Sequence, residues 1–377
     1  MLRLRRLQLT QFRSYAALDW RPASPIAVVT GPNGSGKTNL LEAVSLLVPG
    51  RGLRGAKAVD LPRHGAGAWA VAAEIERDGI AYDLGTGTPP DGASDRRVFR
   101  LNGATPRSGA EVAALVSAVW ITPQMDRLFQ EGASGRRRFL DRLTWALEPG
   151  HAREVSAFEQ AMSGRNRLLA EGGADPAWLA GLEDSMARHG VAVAAARRQL
   201  VARLDAAAGA MRGFPAARVV LACPVADRLA AMPAVLAEDW LRERLAEDRG
   251  RDAQSGGAAL GTHRADMLIE DRETGLAAAQ ASTGQQKALL VGIILAHAQA
   301  IAEARGAPPL LLLDEPAVHL DEGRRRLLFA ALADGPAQAL LTGTDGDIFG
   351  PLAGIAEALV AAEGTLVPDP GFPPVRP

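Results

Sequence analysis

The feature that most constrains this chain is a glycine-rich segment near its start, Gly31-Pro32-Asn33-Gly34-Ser35-Gly36-Lys37-Thr38. It follows the apolar run 26–30 and precedes the helix-forming segment 39–44, which is the strand, loop and helix context of a P-loop. In such a loop, glycines let backbone N–H groups converge on phosphate oxygens, a lysine reaches the β- and γ-phosphates, and a hydroxyl binds Mg²⁺. The segment therefore predicts an ATP site in which Lys37 and Thr38 have the last two roles.

An acidic pair follows an apolar run near the other end of the chain. Residues 310–313 are all leucine, which is typical of a strand in a parallel sheet that is covered on both faces. The run ends at Asp314 and Glu315, at the edge where open α/β sheets place their sites. We expect Asp314 to hold Mg²⁺ through its waters and Glu315 to activate the attacking water as general base. Lys37 and Glu315 are thus the predicted catalytic residues. Because they lie near opposite ends of the sequence, folding must bring them together to form one site.

The segment Ser282-Thr283-Gly284-Gln285 lies at the start of a long apolar helical pattern. A serine at this position is often only the N-cap of a helix. Between a P-loop and an acidic strand end, however, Ser-x-Gly-Gln resembles the signature motif of ABC-type ATPases. In those proteins the serine and glycine amides bind the γ-phosphate held on the P-loop of a second subunit. The resemblance implies that Ser282, Gly284 and Gln285 contact the nucleotide and that ATP drives homodimerisation.

Composition and charge exclude several classes of protein. The chain has 377 residues and a formal net charge of −1, so a DNA-binding surface would have to be a local patch. The single cysteine, Cys223, excludes an internal disulfide and a zinc site built from cysteine pairs. The first residues lack the apolar core of a signal peptide, and the longest apolar stretch, 288–302, is shorter than the roughly 20 residues that span a bilayer. We therefore expect a cytoplasmic protein with no membrane segment.

Hydrophobic periodicity divides the chain into three parts. Strand-like alternation occurs over 2–9 and 69–75, and Asp78-Gly79 and Asn102-Gly103 predict tight hairpin turns. From about residue 122 the sequence becomes rich in Ala, Leu, Arg and Glu with helical spacing. Helices are predicted over 136–147, 151–170, 176–211 and 235–246. The α/β character then returns, and the proline-rich segment 368–374 predicts a frayed tail.

The predicted fold class is α/β, with an ABC-type P-loop ATPase head that has a mixed sheet and an inserted α-helical lobe. The predicted domains are 1–121 for the N-terminal part of the head, 122–255 for the helical lobe, and 256–377 for the C-terminal part of the head with its tail.

Several blocks outside these motifs add a more specific resemblance. They are Phe12-Arg13-Ser14-Tyr15, Gly50-Arg51-Gly52-Leu53-Arg54, Arg136-Arg137-Arg138-Phe139-Leu140-Asp141-Arg142, Arg165-Asn166-Arg167-Leu168-Leu169, Gly261-Thr262-His263-Arg264, and Asp314-Glu315 with His319-Leu320-Asp321. Together they resemble the RecF family of bacterial recombination and replication-repair ATPases over nearly the whole chain. Two positions depart from the family pattern: Ala265 replaces an acid, and Gly343 replaces an alanine.

The resemblance implies ATP-driven dimerisation, slow ATP hydrolysis that acts as a switch, and binding to DNA gaps or single-stranded/double-stranded junctions. The partners that it implies are RecR and RecO, and indirectly RecA, which they help to load. It also implies that Arg13 contacts a nucleotide phosphate. Gln124 would lie in the loop that links Mg²⁺ to the helical lobe, and Asp321 would be a D-loop residue at the dimer interface.

Basic clusters are the candidate DNA contacts. Arg51, Arg54 and Lys57 follow the P-loop helix and are the predicted DNA-binding residues, and further clusters occur at Arg96-Arg97 and 136–138. A solvated surface explains each cluster equally well. For His263 and Arg264 a structural role is favoured over ligand binding.

Two other classes share the P-loop, the signature and the acidic pair. The ATPase subunit of an ABC transporter usually carries a switch histidine after the next strand, and the segment 340–345 has none. An SMC-like chromosome-structural ATPase requires a long arm with heptad repeats, which the sequence does not show. Both remain alternatives to the RecF-like reading.

Overall fold

The computed structural model describes residues 1–89, 92, 96–172, 175–210 and 214–375. The chain divides into two compact units. The first contains Met1–Asp126, Met211–Pro215 and Ser282–Pro377, and the second contains Arg127–Ala210 and Ala216–Ala281. The predicted α/β class, with a mixed sheet and a helical lobe, is confirmed.

The elements follow one another along the chain with these bounds. The strands are β1 Leu2–Phe12, β2 Tyr15–Trp20, β3 Ile26–Thr30, β4 Ala70–Arg77, β5 Ile80–Gly87, β6 Val98–Leu101, β7 Ala118–Ile121, β8 Ala217–Ala222, β9 Asp266–Asp271, β10 Leu310–Leu313, β11 Ala339–Thr342, β12 Glu357–Ala362 and β13 Thr365–Pro368. The α-helices are α1 Lys37–Ser45, α2 Gly109–Leu115, α3 Ala133–Leu147, α4 His151–Glu171, α5 Pro176–Ala210, α6 Pro224–Ala231, α7 Ala234–Glu247, α8 Arg249–Ser255, α9 Thr283–Arg305 and α10 Glu322–Asp334.

An antiparallel sheet in the first unit has the strand order β2-β1-β4-β5-β6. Its strand β1 buries Leu2, Leu4, Leu7 and Leu9. The interval between the second and third of these leucines is odd because the pairing of β1 with β4 shifts register after Leu4. Such a bulge returns the apolar side chains to the same face of the strand.

A mixed sheet in the first unit has the order β13-β12-β3-β11-β10-β7. All of its pairings are parallel except that between β12 and β13. Every residue of β3, β7, β10 and β11 is buried, which explains their nearly continuous apolar sequences. Because β3, β11 and β10 are parallel neighbours, the segments that follow them meet at one edge of the sheet.

The second unit is helical but contains a pair of strands. Its core includes Phe158, Met186 and Leu241. Strand β9 pairs with β8 in antiparallel fashion, so residues 256–281 belong to this unit and not to the head. The lobe predicted over 122–255 therefore differs from the structure at its C-terminal boundary, and residues 122–126 belong to the first unit.

Helix α9 is longer than the apolar stretch 288–302 on which the expectation of no membrane segment was based. It has 23 residues, and an 18-residue window within it has a mean hydropathy of 1.4, so it is long and apolar enough to cross a bilayer. Most of the helix is buried within the protein, however, including the run from Gln286 to Ile294. Such burial is the mark of a core helix and explains its apolar sequence.

The predicted turns are largely confirmed. Asp78 and Gly79 both have positive φ, 52° and 81°, and join β4 to β5. Asn102 and Gly103 also have positive φ, but their turn closes on the single bridge between Leu101 and Ala104. The predicted tail starts too early, because Pro368 ends β13. Residue 211 of a predicted helix, and residues 376 and 377 of the predicted C-terminal part of the head, lie outside the described residues.

Candidate nucleotide-binding site

The P-loop has the strand, loop and helix context predicted for it, between β3 and α1. Two of its glycines are required by their surroundings. A Cβ atom on Gly31, where φ is 139°, would lie 2.6 Å from the Ala361 carbonyl oxygen. A Cβ atom on Gly36, where φ is 106°, would lie 2.6 Å from the Ser14 hydroxyl. Both positions therefore require glycine, because of their positive φ and the atoms packed against them.

Lys37 is buried at the base of this loop. Its Nζ donates to the carbonyl oxygens of Gly31 at 2.7 Å and Pro32 at 2.9 Å. Burial lowers the pKa of Lys37, and the charges of Glu315 and Asp314 oppose that effect. Nearby, the buried Ser35 hydroxyl has no hydrogen-bond partner among the described residues. A lysine held by neutral carbonyls beside a free hydroxyl suits an anionic ligand.

Asp314 connects the P-loop to the acidic strand end through hydrogen bonds. The Thr38 hydroxyl donates to its carboxylate, 3.0 Å from each oxygen. The Thr342 hydroxyl donates to Asp314 Oδ1 at 2.6 Å and accepts from the backbone N–H of Glu315 at 3.1 Å. Thr342 thus positions both members of the acidic pair. No sequence motif marks Thr342. It ends the apolar strand β11, and the parallel pairing of β11 with β10 is the signal that reveals its position.

Glu315 has an unusual backbone conformation. Its φ of 50° is uncommon for a residue with a side chain and often marks a functional position. It lines a cavity of about 110 Å³ together with Asn33, Gly34, Gly36, Lys37, Thr38, Asn39 and Arg54. The predicted general base and the predicted phosphate-binding loop therefore share one cavity.

The donor set fits Mg²⁺ better than a metal held by the protein alone. No group of three or more His, Cys, Asp or Glu side chains with metal-binding geometry occurs in the described part of the chain. Mg²⁺ is typically held by one or two carboxylates, substrate phosphates and water. The oxygens of Thr38 and Asp314 are suitable donors of this kind.

Glu42 organises two arginines next to the cavity. Its carboxylate is fully buried and accepts two hydrogen bonds from Arg13, at 2.9 Å each, and a longer one from Arg54 at 3.2 Å. Arg54 also donates to Asn39 Oδ1 at 2.6 Å. The predicted phosphate contact Arg13 is thus held by Glu42, while Arg54, predicted to bind DNA, lines the nucleotide cavity.

The other two predicted DNA contacts lie elsewhere. Arg51 and Lys57 are exposed and line a cavity of about 500 Å³ with Arg96 and Arg97. Arg97 donates to the carbonyl oxygens of Leu46, Val48 and Gly50, and burial lowers its pKa to about 10. The lining of this cavity, beside the P-loop helix, is therefore rich in basic residues.

The predicted signature residues lie together with the predicted D-loop. Ser282 caps α9 in a reciprocal pair of hydrogen bonds with Gln285. A Cβ atom on Gly284 would lie 2.8 Å from the His319 carbonyl oxygen, so this glycine is required by the close approach of the segment before Asp321. None of these residues lines the P-loop cavity among the described residues.

Gln124 is exposed in the short 3₁₀ turn Pro123–Arg127 and does not line the described nucleotide cavity. Its neighbour Asp126 accepts a hydrogen bond at 2.7 Å from Nζ of Lys287, whose side chain is 1% exposed. Because Lys287 lies in the first turns of α9, this partly buried ion pair connects the segment that contains Gln124 to the signature helix. Sequence reasoning missed the pair.

Known proteins match this chain over nearly its whole length. Residues 3–349 match the family described as RecF/RecN/SMC N terminal domain. The chain is 45% identical over 368 residues to the DNA replication and repair protein RecF of Mesorhizobium japonicum, covering 96% of this chain and 97% of that protein. It is 46% identical over 366 residues to the protein of the same name from Agrobacterium fabrum, with coverage of 96% and 97%.

Solved structures share the fold. A structure of the recombination mediator protein RecF with ATPrS has a TM-score of 0.83 at 21% identity, over 97% of this chain and 98% of that chain. An Smc head domain from Pyrococcus furiosus, bound to the C-terminal domain of ScpA, has a TM-score of 0.53 at 16% identity, over 97% and 95%. The family match over most of the sequence and the identity over nearly its full length show that the chain belongs to the RecF family.

Proposed function

We propose that this protein is an ATP-dependent DNA-binding protein of recombinational repair and replication restart. On ATP it dimerises at DNA gaps or junctions in the cytoplasm and, with RecO and RecR, assists the loading of RecA. The observation that carries the ATP part is the contact between Thr38 and Asp314, which joins two motifs from opposite ends of the chain. Family membership supports the DNA part, because the curated relatives are DNA replication and repair proteins.

The residues of the site divide the work of ATP hydrolysis. Lys37 and the loop N–H groups bind the β- and γ-phosphates. Thr38 and Asp314 would hold Mg²⁺, which would supply positive charge beside the phosphates. Glu315 accepts the proton of the attacking water. Thr342 holds the acidic pair in place through its two hydrogen bonds. Arg54, at the cavity wall, adds a positive charge close to the nucleotide.

ATP is expected to convert the protein to a dimer. Ser282 and Gly284 lie with the D-loop residues outside the cavity lining, as a motif that completes the site of a second copy would do. Sedimentation velocity at micromolar protein should show a monomer without nucleotide and a dimer with saturating ATP and Mg²⁺. Lys37→Ala is the control and should stay monomeric. A wild-type monomer under saturating ATP would contradict the proposal.

DNA binding is the second part to test. Filter binding should show tighter retention of gapped duplex DNA with ATP than without it, and tighter retention of gapped than of intact duplex. Equal retention in all four conditions would remove the junction assignment while leaving the ATP assignment intact.

The three predicted DNA contacts are expected to separate into two functions. Arg51→Ala with Lys57→Ala should weaken DNA binding and reduce the salt slope by up to about 0.9 per lost contact, with unchanged ATP affinity. Arg54→Ala should weaken ATP binding, because Arg54 lines the nucleotide cavity. Arg21→Ala, at an exposed arginine of the same unit, is the control. If Arg54→Ala alters DNA binding alone, its placement at the nucleotide is wrong.

A further inference from the structure

A second pocket lies wholly within the helical unit. Its volume is about 240 Å³, and it is lined by residues of α3, α4, α5 and the 3₁₀ turn Thr262–Arg264. Val155, Phe158 and Val193 supply apolar wall, and the other lining residues are polar or charged. The nucleotide chemistry described above uses none of them.

Part of the polar wall is already neutralised. Arg197 donates to both carboxylate oxygens of Asp141, at 2.7 and 2.8 Å, and to the carbonyl oxygen of Thr262 at 2.7 Å. Nε2 of the buried His151 also donates to Asp141, at 2.8 Å. Although burial opposes it, these hydrogen bonds lower the pKa of Asp141. Arg197 and Asp141 therefore form a fixed ion pair in the pocket wall. Because their charges offset each other, the pair attracts a charged ligand only weakly.

Three consecutive arginines of α3 differ in their partners. Arg136 is bound by two hydrogen bonds to Asp266, at 2.8 and 2.7 Å, and does not line the pocket. Arg137 lines the pocket and donates to a neutral partner, the Ala265 carbonyl oxygen, at 2.9 Å. Arg138 also lines it, is exposed, and makes no hydrogen bond or ion pair with any residue in the described part of the chain. Two guanidinium groups thus face the pocket without a carboxylate partner.

Acidic and basic side chains both surround these two groups. Burial, followed by the charge of Arg197, lowers the pKa of Arg137, although Asp266 and Asp141 oppose this. Glu159 also lines the pocket, but it is exposed and forms no ion pair with the arginines among the described residues. The His263 ring donates from Nε2 to the Ala258 carbonyl oxygen, and burial lowers its pKa, which disfavours a positive charge on the ring.

We propose that this pocket binds phosphate groups of a DNA backbone, with Arg137 and Arg138 as the ligands. A guanidinium group donates two parallel hydrogen bonds to phosphate oxygens, which gives strong and directional binding. Arg137 is half-buried in the pocket and Arg138 is exposed, so the pair suits a polyanion that passes over the opening better than a small enclosed ion. The assignment rests on the proposed DNA-binding function and adds a contact within the helical unit.

The test compares wild-type protein with Arg137→Gln/Arg138→Gln and with Arg138→Gln alone. The double variant should bind gapped duplex DNA about tenfold more weakly, with a salt slope smaller by about 0.9 per lost contact. ATP affinity and ATP-dependent dimerisation should be unchanged. The control is Arg188→Gln, because Arg188 is an exposed arginine of the same unit that pairs with Asp184 at 2.9 Å. The single variant removes a side chain that has no hydrogen-bond or ion-pair partner among the described residues, so it keeps the fold and should show part of the effect.

Three outcomes would overturn the inference. In the first, wild type binds DNA and both variants retain its affinity and salt slope. In the second, DNA binding is unchanged, but inorganic phosphate raises the melting temperature of wild type and not of the double variant, which assigns the pocket to free phosphate. In the third, only the binding of polyglutamate is lost, which assigns it to an acidic protein. If wild type itself fails to bind DNA, the proposed function fails with it.

Discussion

Glu315→Gln is expected to bind ATP with nearly wild-type affinity and to hydrolyse it about 10²- to 10⁴-fold more slowly, the usual contribution of a general base. The substitution removes the proton acceptor but keeps the size of the side chain at the wall of the nucleotide cavity. Because it hydrolyses ATP slowly, the Glu315→Gln variant should persist as an ATP-bound dimer on DNA. Single-turnover hydrolysis, equilibrium ATP binding and sedimentation measure these properties separately.

Lys37→Ala is the matched comparison, because it acts on binding. Lys37 lies against the loop carbonyls where the phosphates are expected, so its loss should abolish both ATP affinity and dimerisation. Wild-type turnover by Glu315→Gln would show that another group accepts the proton. Equal loss of ATP affinity in both variants would show that the two residues do not divide binding from catalysis.

Thr342→Val is expected to damage the site without touching the P-loop. The substitution preserves shape but removes the hydroxyl that bonds both Asp314 and the Glu315 backbone, leaving a buried carboxylate and an N–H group each short of one partner. The unfolding free energy should fall by about 1–3 kcal/mol. ATP turnover should require a higher Mg²⁺ concentration, because Asp314 is no longer fixed beside Thr38.

Thr342→Ser supplies the control, since it restores the hydroxyl while losing only a methyl group. It should recover the Mg²⁺ dependence of the parent. Urea unfolding and a Mg²⁺ titration of turnover measure the two effects. If valine and serine variants have the same Mg²⁺ requirement, Thr342 has no positioning role.

The sequence was sufficient for the parts of the site that are continuous in the chain. The P-loop, the apolar strand before Asp314 and the N-cap at Ser282 each depend on neighbours within a few residues, so local patterns reveal them. The helices α3, α4, α5 and α7 were predicted close to their bounds for the same reason. Their residues repeat with the helical period over two or more turns.

Features that depend on register or distant packing were not predicted. Thr342 reaches Asp314 because β11 pairs with β10 in parallel, and Arg54 reaches the nucleotide cavity while Glu42, buried in α1, accepts its hydrogen bond. Strand β8 was missed because it is short and lies among helices, and its pairing with β9 moved the boundary of the lobe to residue 281. None of these contacts has a signature in neighbouring residues.

The ion pair between the half-buried Asp126 and the buried Lys287 couples the movements of two segments. Separating it would leave an ammonium group uncompensated in the core, at a cost of several kcal/mol, which exceeds most single interactions. We therefore expect the turn that contains Gln124 and the first turns of α9 to move together. Any displacement of that turn would then also displace Ser282 and Gly284. In the proposed dimer, binding of a second copy against these two residues would displace the same turn.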